Sequence, residues 1–494
     1  MPRNPINLIN GERSALPIFF ILSVHLFFAA AARCQSKDFS PMPEDKELLG
    51  RLLAGYQRQY KEDLDKLPGK NRKDYVLVYG QRWENIKHYF DKEEIYTSPA
   101  AQTYLDGLVA EILRANPELS LSLAGSGTSS TDRVFRCYFS RSAVPNAAYI
   151  GEGIILFNMG LFDRLDNESE AAFVLCHEIA HFLLRHPENS MDKYVTTINS
   201  GEMQMQLRKI KSSEYRRNQQ LEGMMKGIAF DSRRHSRDHE SQADSMAVEL
   251  LRRTRFGVSG ALTTLTILDT IDTDTLNTGE CLRRTFDSRN YPFQKKWLAR
   301  EEGLLGGHGR LPDDARLEDS LKTHPDCQLR IKALGPIIRR QGLTAGGVED
   351  GASGSMPPGH RFVVDSIRFG QLKTLFRYEV IEFAYQSDRY SLSLFLTLQL
   401  LQDHPGDAYL VAEVGRLLNG LYVAQKAHTI SKVVDLPSPD YPANYNMLLQ
   451  FIQNLYLDNI ASINYNYLGQ YHPQFDHYAP FKGVYDQSVG FNKP

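Results

Sequence analysis

At 494 residues the chain exceeds the length at which one hydrophobic core usually keeps growing, so at least two folded units are expected. With 42% hydrophobic and 23% charged residues it is ordinary for a globular protein and too polar for a multi-span membrane protein. The 57 basic and 59 acidic residues leave a net charge of -2 and no long basic block, which argues against a nucleic-acid partner.

The first residues read differently from the rest. Arg3 and Arg13 precede an apolar run from Ala15 to Phe28 and the small residues Ala29 to Ala32, the layout of a signal peptide over residues 1–32. The mature chain is then exported and starts near Arg33. Membrane association is expected only if this segment stays uncleaved or if Cys34 is lipidated, and Arg33 is the wrong neighbour for lipid attachment.

Residues 33–97 read as a helical leader, with apolar residues at helical spacing over 43–66 and a stop at Pro68-Gly69. A second helix is expected within 99–115. Arg133 to Ser140 and Tyr149 to Asn158 read as strands. Asn167 and Glu170 offer a capping signal for a long helix through Phe173, Cys176, Ala180 and Leu184, stopped at His186-Pro187. Residues 188–235 are polar, helical in propensity and free of any apolar run able to cross a bilayer, so a solvated helical insertion is expected. A further helix runs from about Asp238 to Arg253, with Ala243, Met246, Ala247 and Leu250 on one face.

A domain is therefore drawn over residues 98–340. Gly342 to His360 is rich in Gly, Ser and Pro and reads as a linker, over 341–360, to a helical domain at 361–494. There, Tyr390 to Asp403 and Tyr409 to Ala424 flank the turn His404-Pro405-Gly406-Asp407. This resembles one unit of a tetratricopeptide repeat, with a degenerate partner around 445–470; a small packed helical domain with no solenoid fits equally well. Cys137, Cys176, Cys281 and Cys327 are too scattered for a disulfide scaffold, and Cys176 reads as a small buried residue.

The chemistry centres on His177-Glu178-Ile179-Ala180-His181. Residues four apart lie on one helix face, so both imidazoles can point at one ion, while Glu178 is turned about 100° away and can reach a water on that ion without binding it. Hydrolysis requires this division: a cation lowers the pKa of water and a carboxylate takes the proton. About 0.05 such patterns would arise by chance in a chain of this composition, so the motif alone is moderately specific. Catalytic zinc usually takes three protein ligands. Glu240, in Glu240-Ser241-Gln242-Ala243-Asp244, is the candidate third, with Asp244 one turn later placed to accept the outer N–H of a ligating histidine. His239 points away from Glu240 and reads as a surface histidine.

HEIAH followed by ESQAD in the setting SRDHESQAD resembles the gluzincin family that includes the CAAX prenyl proteases and the HtpX-type bacterial proteases. The resemblance covers roughly residues 98–335. It implies one Zn2+ held by His177, His181 and Glu240, with Asp244 supporting the site. The segment from Asn146 through Ala147, Ala148 and Ile155 to Gly160-Leu161 also resembles a signature of that family, with Ala148 where Phe is frequent. A peptidase needs an exposed strand edge for extended substrate, and Asn146 and Ala147 begin a candidate edge. Thr323-His324-Pro325 with Arg330 resembles a family element near the zinc, in which His324 either donates to the oxyanion or fills the fourth zinc position.

The expectation is an α+β zincin core followed by an all-α domain. It acts as a zinc-dependent endopeptidase on unfolded or misassembled polypeptides in the periplasm or outer envelope, with a protein-docking surface on the C-terminal helices. Two other readings are a non-catalytic zinc-containing adaptor or chaperone, which the presence of Glu178 argues against, and a membrane-bound CAAX-type enzyme, which the polar stretch 188–235 argues against.

Overall fold

The computed structural model describes residues 39–119, 135–211, 237–270, 277–299, 327–342, 362–439 and 441–493. The expected signal peptide, His324, nearly all of the linker and the C-terminal half of the polar insertion lie outside the described residues. What is described is mostly helical, with one small sheet. No helix among the described residues is long and apolar enough to cross a membrane.

The leader forms two helices, α1 (Lys46–Asp65) and α2 (Arg72–Asp91). Asp45 caps the first by accepting from the Leu48 N–H at 2.8 Å. Arg72 donates to the carbonyls of Leu64 and Leu67, both at 2.8 Å, closing the end of α1. Tyr75, Tyr79, Trp83, Ile86 and Phe90 form the buried stripe of α2. Next, α3 (Pro99–Ala115) starts at the cap Ser98 and buries Tyr104, Leu105, Leu108 and Ile112.

The sheet has the order β1-β3-β2, from β1 (Arg136–Ser140), β2 (Ala147–Gly151) and β3 (Ile154–Asn158). β1 runs parallel to β3, and β2 antiparallel to it. The stretch Tyr149 to Asn158, expected as one strand, is thus two. Gly151, Glu152 and Gly153 have φ of 110°, 51° and 75°, and this left-handed run folds the chain back on itself. A Cβ on Gly151 would lie 2.9 Å from Arg82 Cδ, so the bend and the packing of α2 against it both require glycine there. Among the described residues β2 pairs with β3 alone, which leaves its other side as an edge.

After the single turn α4 (Met159–Phe162) comes α5 (Glu168–Leu183), in which every residue from Glu168 to Ala180 is buried. Asn167 caps it by accepting from Ser169 and Glu170 N–H, and Glu170 reaches back to the N–H of Asp166. His186-Pro187 stops this helix and also opens the next, α6 (His186–Ile198), which leads to α7 (Gly201–Lys211). Helix α8 occupies residues 237–251 and is followed by α9 (Gly260–Thr270), α10 (Thr278–Phe286) and α11 (Cys327–Gly342).

The C-terminal helices are α12 (Ser366–Gln386), α13 (Tyr390–Asp403), α14 (Ala408–Lys426), α15 (Ala443–Gln453), α16 (Leu457–Phe475) and α17 (Ala479–Phe491). Gly406, with φ of 90°, makes the turn between α13 and α14, and Asp407 caps α14. α14 packs against α13, α16 and α17 and is the centre of this bundle.

Packing crosses the divisions drawn from composition. Phe369, Leu372 and Phe376 of α12 join the core that contains the sheet and α5, while Tyr378 and Ile381 of the same helix face the C-terminal core. Conversely, Cys281, Leu282, Phe286 and Trp297, which precede the expected linker, pack with α15 and α16. Glu168, at the head of α5, accepts from Tyr104 OH and from the N–H groups of Val363, Val364 and Asp365, tying the start of α12 to α5. The four described cysteines are buried and form no disulfide among the described residues.

Candidate metal centre

His177 and His181 project from α5 towards Glu240 on α8, and one donor atom from each residue lies within 4.8 Å of the others. The Nε2 atoms of the two histidines are 3.0 Å apart. Glu240 Oε2 is 3.3 Å from His177 Nε2, and Oε1 is 3.5 Å from His181 Nε2. Ligands at about 2.1 Å from a tetrahedral zinc stand about 3.4 Å apart. Two imidazoles and a carboxylate at this spacing therefore fit zinc without rearrangement.

The supporting residues surround these donors. Asp244 Oδ1 lies 3.0 Å from His177 Nδ1, and Arg330 of α11 donates through Nε and Nη2 to Asp244, both at 2.7 Å. Arg330 Nη1 is also 3.3 Å from Glu240 Oε2. Burial alone would raise the Asp244 and Glu240 carboxyls. For Asp244 the Arg330 and His177 contacts outweigh it, and for Glu240 the two histidines and Arg330 do, so both are held below the usual carboxylate range. Burial works the other way on His177, but Asp244 and Glu240 overcome it and push its pKa up to about 10 in the absence of metal. Metal must displace that proton.

Glu178 is buried beside them, and its Oε2 accepts the N–H of Tyr149 on β2 at 2.7 Å. Burial raises its pKa, opposed by His177, His181 and the Tyr149 N–H. A carboxylate tuned upward is the better proton acceptor near neutral pH. Asn146 and Ala147 stand at the entry to β2, and the Asn158 N–H donates to the Asn146 carbonyl at 3.1 Å. Since successive residues of a strand face opposite ways, the main-chain groups of Ala147 point with the Tyr149 N–H away from β3, towards open edge. A recess of about 330 Å³ lies there, with Leu161, Phe173, Val174 and Leu268 as its apolar lining.

Two histidines differ from their sequence reading. His186, read only as part of a helix stop, is 3% exposed; its Nδ1 is 2.9 Å from His181 Nδ1 and its Nε2 is 3.2 Å from Gln242 Oε1. His239, expected on the surface, is partly buried and stacks on the His186 ring at 4.2 Å with the planes 8° apart. Its reading missed the neighbour because α6 returns beneath α5. Burial, then His181 and His239, bring the His186 pKa down to about 4.

A larger cavity, about 540 Å³, opens beyond Tyr149 between α2, α5 and α6. Arg82 spans it, donating to Glu152 at 2.7 Å and Glu188 at 2.9 Å, and Tyr149 OH is 3.3 Å from Glu188.

A histidine pair and a glutamate on two helices, with a further glutamate between them and a strand edge, form the arrangement that a metallopeptidase of the zincin type requires. Residues 118–337 match the family model described as Peptidase family M48, so the chain carries a gluzincin-type metallopeptidase domain of that family over less than half its length. Members of this family are typically zinc-dependent. None of the curated proteins matches the chain.

Proposed function

We propose that this chain is a zinc-dependent endopeptidase of the branch that resembles the CAAX prenyl and HtpX-type proteases, acting on extended stretches of exported protein in the periplasm or outer envelope. The observation that carries this reading is the junction of three elements at one point: donors from α5 and α8 converge while Glu178 is pinned to the edge strand. His177, His181 and Glu240 would hold the zinc, which when bound supplies a Lewis acid for the scissile carbonyl and for water.

The protein's own groups do the rest. The Ala147 edge receives substrate as an added strand, with Asn146 at its entry. With Oε2 held by Tyr149, Oε1 of Glu178 is free to take a proton from the attacking water. As the new C–O bond forms and the C–N bond breaks, Glu178 returns that proton to the leaving amine. The apolar recess favours substrates with an apolar side chain next to the scissile bond. His324, outside the described residues, is assigned either to the oxyanion or to the fourth zinc position, and the C-terminal helices to docking misassembled protein, as in tetratricopeptide-bearing relatives.

The test uses residues 33–494 purified with stoichiometric zinc and an unfolded protein as substrate. Wild type is expected to cut internal bonds and Glu178→Gln to retain zinc without cutting. Equal cleavage by both proteins sinks the mechanism.

A further inference from the structure

A histidine that binds metal through Nε2 must carry its proton on Nδ1, and a buried Nδ1–H needs an acceptor to hold that tautomer. For His177 the nearest acceptor is Asp244, whose Oδ1 lies 3.0 Å from Nδ1 outside good hydrogen-bond alignment. His181 also presents Nε2 to the donor cluster, yet what stands 2.9 Å from its Nδ1 is another imidazole nitrogen, His186 Nδ1.

Two nitrogens in contact cannot both carry protons, and this settles the direction of the chain. If His181 keeps its Nδ1 proton, His186 Nδ1 must accept and His186 Nε2 must carry the hydrogen. That hydrogen has a partner: Gln242 Oε1, at 3.2 Å. With the Gln242 amide turned over, its NH2 would face His186 Nε2, moving the proton to His186 Nδ1 and stripping it from His181 Nδ1. His181 would then be protonated on Nε2, where the metal should be. The orientation of one amide on α8 is thus coupled to the metal competence of a histidine on α5.

Local structure explains how His186 reaches this place. Arg185 adopts φ of 54°, so the chain leaves α5 in a left-handed turn and α6 starts at once with His186 and Pro187. The imidazole is brought back under His181, with its ring plane fixed from the other side by His239. The ring is buried, with one imidazole against its edge and another stacked on its face.

We propose that His186 is a positioning residue of the metal centre, holding His181 in the Nε2-ligating tautomer through a relay that ends on Gln242. The proposal rests on the reading that His177, His181 and Glu240 hold zinc. It gives the two ligands different supports, a carboxylate for His177 and a neutral relay for His181. The donor cluster thereby gains orientation from His186 without a further negative charge.

The test is zinc affinity of the full mature chain, measured by competition with a chromophoric chelator, alongside melting of the metal-free protein. His186→Phe keeps the ring and its stacking but removes the acceptor, and is expected to weaken zinc binding by about 10–100-fold. His186→Asn, whose Oδ1 falls where Nδ1 was, is expected to stay within about threefold of wild type, because the acceptor survives. A packing role predicts the opposite order, since Asn discards the ring. Gln242 is exposed, so Gln242→Leu should leave melting unchanged while weakening zinc severalfold, and it reads the relay even if the Phe variant does not fold. Affinity unchanged in both His186→Phe and Gln242→Leu, or equal losses in His186→Asn and His186→Phe, overturns the proposal. Wild type that binds no zinc overturns the underlying site reading first, and is distinguishable because no variant is needed to see it.

Discussion

The molecule buries charge in two places, to different ends. In the C-terminal bundle, Arg416 lies between Glu382 and Glu413, stacks 3.7 Å over the Tyr385 ring, and Tyr409 OH donates to Glu382 at 3.0 Å. Each charge there is answered by a neighbour in the same cluster. Around α5 and α8, Asp244 and Arg330 likewise answer each other, but the Nε2 atoms of two histidines and the carboxylate of Glu240 are turned towards one shared point. Burial of ionisable groups is common to both. Convergence of unshared lone pairs on a single position is what separates a site from a structural network.

Substitutions can break that distinction. The largest effect is expected from Glu240→Ala, which removes one of three donors; zinc content by atomic absorption should fall to background and cleavage with it. Glu178→Gln comes next, with kcat/KM lowered by about 10²–10⁴-fold at unchanged zinc content. Arg416→Met addresses the other cluster. It leaves Glu382 and Glu413 buried together and should cost about 3 kcal/mol in denaturant unfolding, the low end for a broken buried pair because the Arg416 side chain is 30% exposed. Zinc affinity should not change in that variant; a loss would mean that the two clusters are coupled.

The smallest effect is a pH slope. Burial, only partly offset by Arg416, pushes the Glu413 pKa from 4.5 up to about 7. A carboxyl whose folded pKa is raised contributes stability that is full below its unfolded value and lost as pH rises through the folded one. The Glu413 contribution to the melting temperature of the metal-free protein should therefore fall between about pH 4.5 and 7, and Glu413→Gln should remove that part of the slope while leaving the part from Glu379, also raised to about 7. A variant with the same slope as wild type would assign the effect elsewhere.

Much of the donor set was legible because its information is local. A spacing of four within one helix brings His177 and His181 together, and the same rule aligns Glu240 with Asp244; only the meeting of the two helices needed tertiary structure. Arg330 came from resemblance and the edge strand from the need of a peptidase for an open strand edge after Asn146; the structure brings Arg330 onto Asp244 and leaves β2 at an edge among the described residues. The hairpin within Tyr149 to Asn158 was hidden because its Gly-Glu-Gly turn is embedded in an apolar run that reads as one strand. Helix α2 carries a regular stripe from Tyr75 to Phe90, but the aromatic residues are interspersed with many charges.

His186 was illegible for a different reason. Helical periodicity predicts neighbours only while the helix lasts, and the contact with His181 spans the left-handed break at Arg185. A histidine within the helix-ending signal itself, five residues from a metal motif, is the one sign that was available. The Gly- and Ser-rich stretch after α11 similarly marks a change of composition and says nothing of packing, so α10 and α12 each join the core on the far side of it.

The central claim is that donors from α5 and α8 hold one zinc. An anomalous difference map from crystals of the zinc-loaded protein, collected at the zinc edge, tests it most directly. One strong peak is expected about 2.0–2.2 Å from His177 Nε2, His181 Nε2 and a Glu240 oxygen, with Glu178 outside the ligand shell. Zinc bound elsewhere, or Glu178 in place of Glu240 as the carboxylate ligand, would contradict it.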